Sequence, residues 1–190
     1  LLGGRATLAD YALIGPLYAH LGRDPWPQRE LVGPRPKLAD WIERVHGGVA
    51  GSGELLPEDA LAGTLAPVMR SIFSELLPML EEIQEQVAAF AEKPPGERAR
   101  LPRMLASVRF PMGEAHFERS ALPYTLWMMQ RVQADYRELD RDARQQIDAW
   151  LASEGAGDLL TRDWGPTLRR KGLRAELAES WGQTPKCPGV

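Results

Sequence analysis

Tyr124, Trp127, Gln130 and Arg131 stand at offsets of three and four residues, the spacing that puts side chains on one face of a helix. Together they would form a polar and aromatic groove in which the Arg131 fork offers two parallel donors to a carboxylate. The competing reading has Trp127 packing this part of the chain onto the first segment, with Gln130 and Arg131 bonded to backbone carbonyls. Tyr11 and Tyr18 are a second pair of pocket candidates, since each joins an apolar ring to one polar tip; as plain core residues they would use the same ring differently. His20, His46 and His116 are far apart and share no HxxxH or HxxE pairing that would converge ligands from one helix, so no metal is expected. Glu75, Glu81, Glu82 and Glu85 fall beside an apolar stripe and read as a solvated face. The sequence contains no GxSxG, no glycine-rich phosphate loop and no nucleophile with a matching base, so catalysis by this chain alone has no visible apparatus.

The composition narrows the setting. The 190 residues suffice for one sizeable core, or for a smaller one with an extension, and 44% hydrophobic against 26% charged residues is ordinary for a folded chain. A net charge of −3 argues against a phosphate-binding surface, so no nucleic-acid partner is expected; the basic run Arg169-Arg170-Lys171 reads as a short solvated patch. A single cysteine, Cys187, excludes an internal disulfide and a thiolate zinc cage, and fits a reducing, cytoplasmic location. No run approaches the roughly 18 apolar residues of a membrane span, and Arg5 and Asp10 spoil a signal-peptide reading of the start. The opening Leu1-Leu2-Gly3-Gly4 reads as an entry in mid-domain, with more protein expected upstream.

The elements that must position these residues are mainly α-helical. Thr7-Leu8-Ala9-Asp10 has the form of a capping box, a hydroxyl at the N-cap and a carboxylate three residues on, so a helix is expected from Leu8. Leu13, Leu17 and Leu21 share a face of it, and Pro16 should kink it. Pro36 opens a second helix with Leu38, Trp41, Ile42 and Val45 inward, ended by Gly47 and Gly48. Glycines from 47 to 53 suggest a linker that divides residues 1–50 from an extension over 51–181 and a tail over 182–190. In the extension, Leu61, Leu65, Val68, Ile72, Leu76, Leu80, Ile83, Val87 and Phe90 trace a long amphipathic helix, with a restart at Pro67 or a kink at Pro78, stopped at Pro94-Pro95-Gly96. A short β-hairpin is expected near 105–120 around Pro111-Met112-Gly113-Glu114. A helix from Pro123 should bury Leu126, Met129, Val132, Tyr136 and Leu139, and a shorter one over 142–153 should bury Ile147, Trp150 and Leu151.

The stretch from Leu2-Gly3-Gly4 through Thr7-Leu8-Ala9-Asp10 to Pro36-Lys37-Leu38-Ala39-Asp40-Trp41 resembles the sixth and seventh helices of the glutathione S-transferase superfamily. There a Ser/Thr-x-x-Asp box opens the central buried helix of the all-α domain, and the next helix starts at Pro and turns a Trp inward; Thr7, Asp10, Pro36 and Trp41 match those places. Beyond residue 50 the chain looks like the long C-terminal extension of certain bacterial relatives, with Pro123-Tyr124, Leu126-Trp127 and Gln130-Arg131 as its signature. The resemblance implies a fragment of the family's C-terminal helical bundle. It implies further that Thr7 and Asp10 are structural, and that glutathione is held by an N-terminal thioredoxin-like domain absent from residues 1–190. The parent would be a cytoplasmic transferase acting on small hydrophobic electrophiles, while this piece alone is inert. The alternative is a non-catalytic scaffold or dimerisation module. In either case the missing helices should leave apolar surface open to a partner domain or a second copy.

Overall fold

A computed structural model of the chain describes residues 4–49, 51–57, 60–94, 96–97 and 100–178. The expected tail with Cys187, the end of the extension, and Leu2 and Gly3 of the resembling stretch lie outside the described residues. The fold is mainly α with two small antiparallel hairpins, and it divides into two compact units at Val68/Met69. The glycine stretch belongs to the first of these: the Gly53 N–H donates to the Gly4 carbonyl at 3.1 Å, which folds residues 51–53 back on the start of the chain.

In the first unit, helix α1 (Leu8–Ile14) starts where the box places it. The Thr7 N–H and the Thr7 hydroxyl both donate to one Asp10 carboxylate oxygen at 2.9 Å, and Asp10 is only 2% exposed. Burial alone would raise the carboxyl's pKa; the Thr7 hydrogen bonds work against it, and the net position lies below the ordinary value. Past Gly15 and Pro16, where the proline removes one backbone donor, the chain does not break but widens into π winding over Gly15–Leu21. A short turn α2 (Pro25–Pro27) continues as a second π segment, Gln28–Val32, which the sequence reading missed, and α3 (Pro36–His46) follows as expected. Val32, Trp41 and Ile42 form the core, with Ile14, Leu17, Tyr18 and Leu38 against them. Leu13, expected to share a face with Leu17, is exposed, and Ile14 packs against the core with Leu17.

The second unit is built on α4 (Ala66–Ala91), whose first residues fall before the division. Pro67 sits in its first turn and Pro78 inside it. Leu61 and Leu65 precede the helix, and Ile72 is exposed while Phe73 takes the buried place; the working face is Phe73, Leu80, Ile83, Val87 and Phe90. Strands β1 (Ser107–Met112) and β2 (Ala115–Ser120) pair around Gly113, whose φ of 58° suits a residue without a Cβ, and β1 turns Val108 and Phe110 inward. Helix α5 (Pro123–Glu138) buries Leu126, Met129, Gln133 and Tyr136. Val132 and Leu139, expected inward, are exposed. Helix α6 (Arg141–Ser153) is capped by Asp140, which accepts from the Ala143 N–H at 2.8 Å. A second hairpin, β3 (Leu168–Lys171) with β4 (Arg174–Leu177), packs on α5.

The Tyr136 hydroxyl bonds both carboxylate oxygens of Asp148, at 2.8 and 2.9 Å, and so ties α5 to α6. The hydrogen bond to Asp148, then burial and the carboxylate's charge, raise the phenol's pKa. A raised folded pKa means the stabilisation is complete below the unfolded phenol's pKa of about 10 and is lost as pH rises through the folded value. Tyr136→Phe should therefore lower the denaturation midpoint at neutral pH, with the gap to the parent chain closing in strong alkali. For Asp10 the sign is opposite: its stabilisation is present above the unfolded carboxyl's pKa of about 3.9 and is lost as pH falls through the lower folded value. Thr7→Ala should cost about 0.5–2 kcal/mol at neutral pH, and the deficit of Asp10→Asn against the parent, followed by thermal unfolding across pH, should vanish in acid.

Candidate functional site

The candidate residues Tyr124, Trp127 and Arg131 come together on the exposed flank of α5. The Tyr124 and Trp127 rings are 4.9 Å apart, and the Arg131 guanidinium lies 5.4 Å from the Trp127 ring. Trp127 is 8% exposed, so its ring belongs largely to the core of this unit. A fourth member was not anticipated: Arg170 of β3 sits 6.0 Å from the same ring. The register explains it. Leu168 and Arg170 share the face of the hairpin that meets α5, while Arg169 and Lys171 point the other way and meet Glu176 at 3.8 and 3.5 Å. The basic run is thus split by strand alternation, and only its middle residue joins the aromatic pair.

The polar residues of the stripe have a different job. Gln130 donates to the Trp164 and Pro166 carbonyls at 3.3 and 2.9 Å, and its amide oxygen accepts the Leu168 N–H at 2.9 Å. Gln133, one turn on and 2% exposed, donates to the Leu160 and Arg162 carbonyls at 3.2 and 2.8 Å. The reading of Gln130 as bonded to backbone carbonyls describes this chain; Gln133 was missed because a buried glutamine has no periodic signal. Arg131 bonds no carbonyl among the described residues. Among the described residues Arg131 and Arg170 have no ion-pair partner, whereas Arg162 is held between Glu81 and Asp158; the hydrogen bond it donates to Glu81, then that to Asp158, raise its pKa. Glu81 therefore carries a specific partner rather than standing in water alone.

Two hollows flank the aromatic pair. On one side a cleft of about 270 Å³ runs between α5 and residues 163–168, with Trp127, Arg131 and Arg137 along it. On the other a cavity of about 670 Å³ opens between Tyr124, residues 102–104 and the turn of the second hairpin. The second hairpin was legible in principle: Lys171-Gly172-Leu173-Arg174 repeats the two-residue, glycine-first turn of Met112-Gly113-Glu114-Ala115, and Gly172 has φ 60°.

Tyr11 and Tyr18 lie in the first unit. Tyr18 stacks on His46 at 3.6 Å and 16°, half-buried against the small core, and Tyr11 is exposed. Asp10 and Trp41 both border a hollow of about 90 Å³ with Arg5 and Arg44 on its rim, too small for an organic substrate. Among the described residues no group of three or more His, Cys, Asp or Glu side chains converges as a metal site, and no helix is long and apolar enough to cross a membrane.

These geometries separate structural from available groups. Trp127→Ala should destabilise the second unit by about 3–5 kcal/mol, while Arg131→Gln and Arg170→Gln should each stay within about 1 kcal/mol of the parent chain, as denaturant titration would show. No protein-family model, curated protein or solved structure matches the chain.

Proposed function

We propose that residues 1–50 are the C-terminal helical part of a glutathione S-transferase-like protein, where they wall the pocket for a small hydrophobic electrophile. The observation that carries this reading is that Asp10 and Trp41, two of the four residues on which the resemblance rests, are both buried and border one hollow. Thr7 and Asp10 form the capping box that opens α1, with Asp10 buried; Pro36 opens α3, and the buried Trp41 borders the same hollow as Asp10. A capping box alone would be a local device; a buried capping carboxylate that shares a hollow with the buried Trp of α3 is a tertiary arrangement.

A second feature supports it. Helix α1 leaves Leu8 86% exposed, with Tyr11 one turn on and also exposed, so an apolar stripe along this helix lacks a cover among the described residues of its unit. In the proposed parent that stripe lies against the family's other helices and the bound electrophile. The thioredoxin-like domain upstream binds glutathione and activates its thiol. The role of Tyr11 is then to supply apolar contact to the electrophile, and no residue of this chain touches the reacting sulfur.

The test uses the longer protein that carries the upstream domain, with residues 1–190 alone as control. Retention on immobilised glutathione and conjugation of a chloronitrobenzene by the longer protein only are expected, and Tyr11→Ala should raise KM for the electrophile with little change in retention. Absence of both retention and turnover would replace this reading with that of a non-catalytic scaffold.

A further inference from the structure

The cavity of about 670 Å³ in the second unit plays no part in the reading of residues 1–50. Its size lies within the roughly 300–1,000 Å³ typical of small-molecule sites. Its walls are mostly apolar: Met104 on one side, Leu122, Pro123 and the Tyr124 ring at the base, and Leu173 at the hairpin turn. Leu173 is 82% exposed, an unusual place for a leucine at a two-residue turn, and Met104 opposite it is exposed as well.

The charges on this wall are of one sign. Arg103 and Arg174 both border the cavity, no carboxylate residue does, and among the described residues neither guanidinium has an ion-pair or hydrogen-bond partner. The contrast within the same hairpin is informative, since Arg169 and Lys171 converge on Glu176. A guanidinium at the mouth of an apolar cavity favours a planar anion that takes two parallel hydrogen bonds, and two such groups favour it more.

We infer that this cavity binds an amphipathic monocarboxylate, with its alkyl or aryl body against Met104, Tyr124 and Leu173 and its carboxylate on Arg103 and Arg174. Volume sets the size of the occupant, the apolar wall sets its body, and the unpaired guanidiniums set its head group. A neutral apolar molecule would fill the same space without using either arginine. A small hydrophilic anion would use the arginines without filling the space.

Calorimetric titration of the whole chain with decanoate, decanol and acetate separates these cases. Decanoate should bind saturably at one site, decanol at least about tenfold more weakly, and acetate without saturation. The double variant Arg103→Gln/Arg174→Gln should bring decanoate down to the level of decanol, while Arg141→Gln on α6 leaves it unchanged. Circular dichroism establishes that each variant is folded, and the single variants carry the same comparison if the double one is not. Equal binding of decanoate and decanol, binding of decanoate that survives the double substitution, or no saturable binding of decanoate would each overturn the inference.

Discussion

Two side-chain amides on α5, one half-buried and one buried, hold the second unit in its shape. Gln130 and Gln133 reach five backbone groups between residues 160 and 168, a segment with no regular structure of its own until β3 begins. Backbone carbonyls covered by a helix need donors, and leaving one unsatisfied costs about 1–3 kcal/mol. With both amides in place the segment lies along α5, Trp164 is buried with its indole N–H on the Leu159 carbonyl at 3.0 Å, and β3–β4 is delivered to the flank of the helix. The hollows on either side of Tyr124 and Trp127 follow from that placement. Without the hairpin there would be neither the Arg170 contact nor the Leu173 wall.

The first unit works by the same rule at a smaller scale. Asp10 is a buried carboxylate whose cost of burial is offset by Thr7 at the end of a helix, where negative charge is also favoured by the backbone dipoles. Its core is small, with Val32, Trp41 and Ile42 as its fully covered apolar members. Small cores leave little stability in reserve. A local cap and an exposed apolar stripe on one helix are what a part of a larger helical layer would show, and this is the physical content of the functional proposal.

Much of the fold was legible where local signals agreed. The capping box, Pro36 with Gly47 and the Gly113 turn each combine a backbone requirement with the residue that meets it, and each marks an element found in the structure. Periodicity was less reliable within elements. It assigned Val132 to the core because valine is apolar, whereas the place belongs to Gln133, which is needed for its hydrogen bonds. It carried the α4 stripe back to Leu61 because leucine recurs at the right spacing in residues that are not helical. The glycine stretch read as a linker, yet Gly53 is used for close approach to Gly4. Of the site, the Tyr124–Trp127–Arg131 grouping was readable from helical spacing. Arg170, Arg103 and Arg174 arrive from the second hairpin and the loop before β1, and no spacing in one element could have announced them.

The site depends on the amides of α5 holding the segment that builds it. Native-state hydrogen exchange at the Leu168 N–H, the donor to Gln130, tests this directly when the parent chain is compared with Gln130→Met. The predicted result is a protected Leu168 amide that loses its protection in the variant, together with the amides of β3–β4, while those of α4 keep theirs. Unchanged protection across residues 160–177 in the variant would show that these amides do not hold the segment in place.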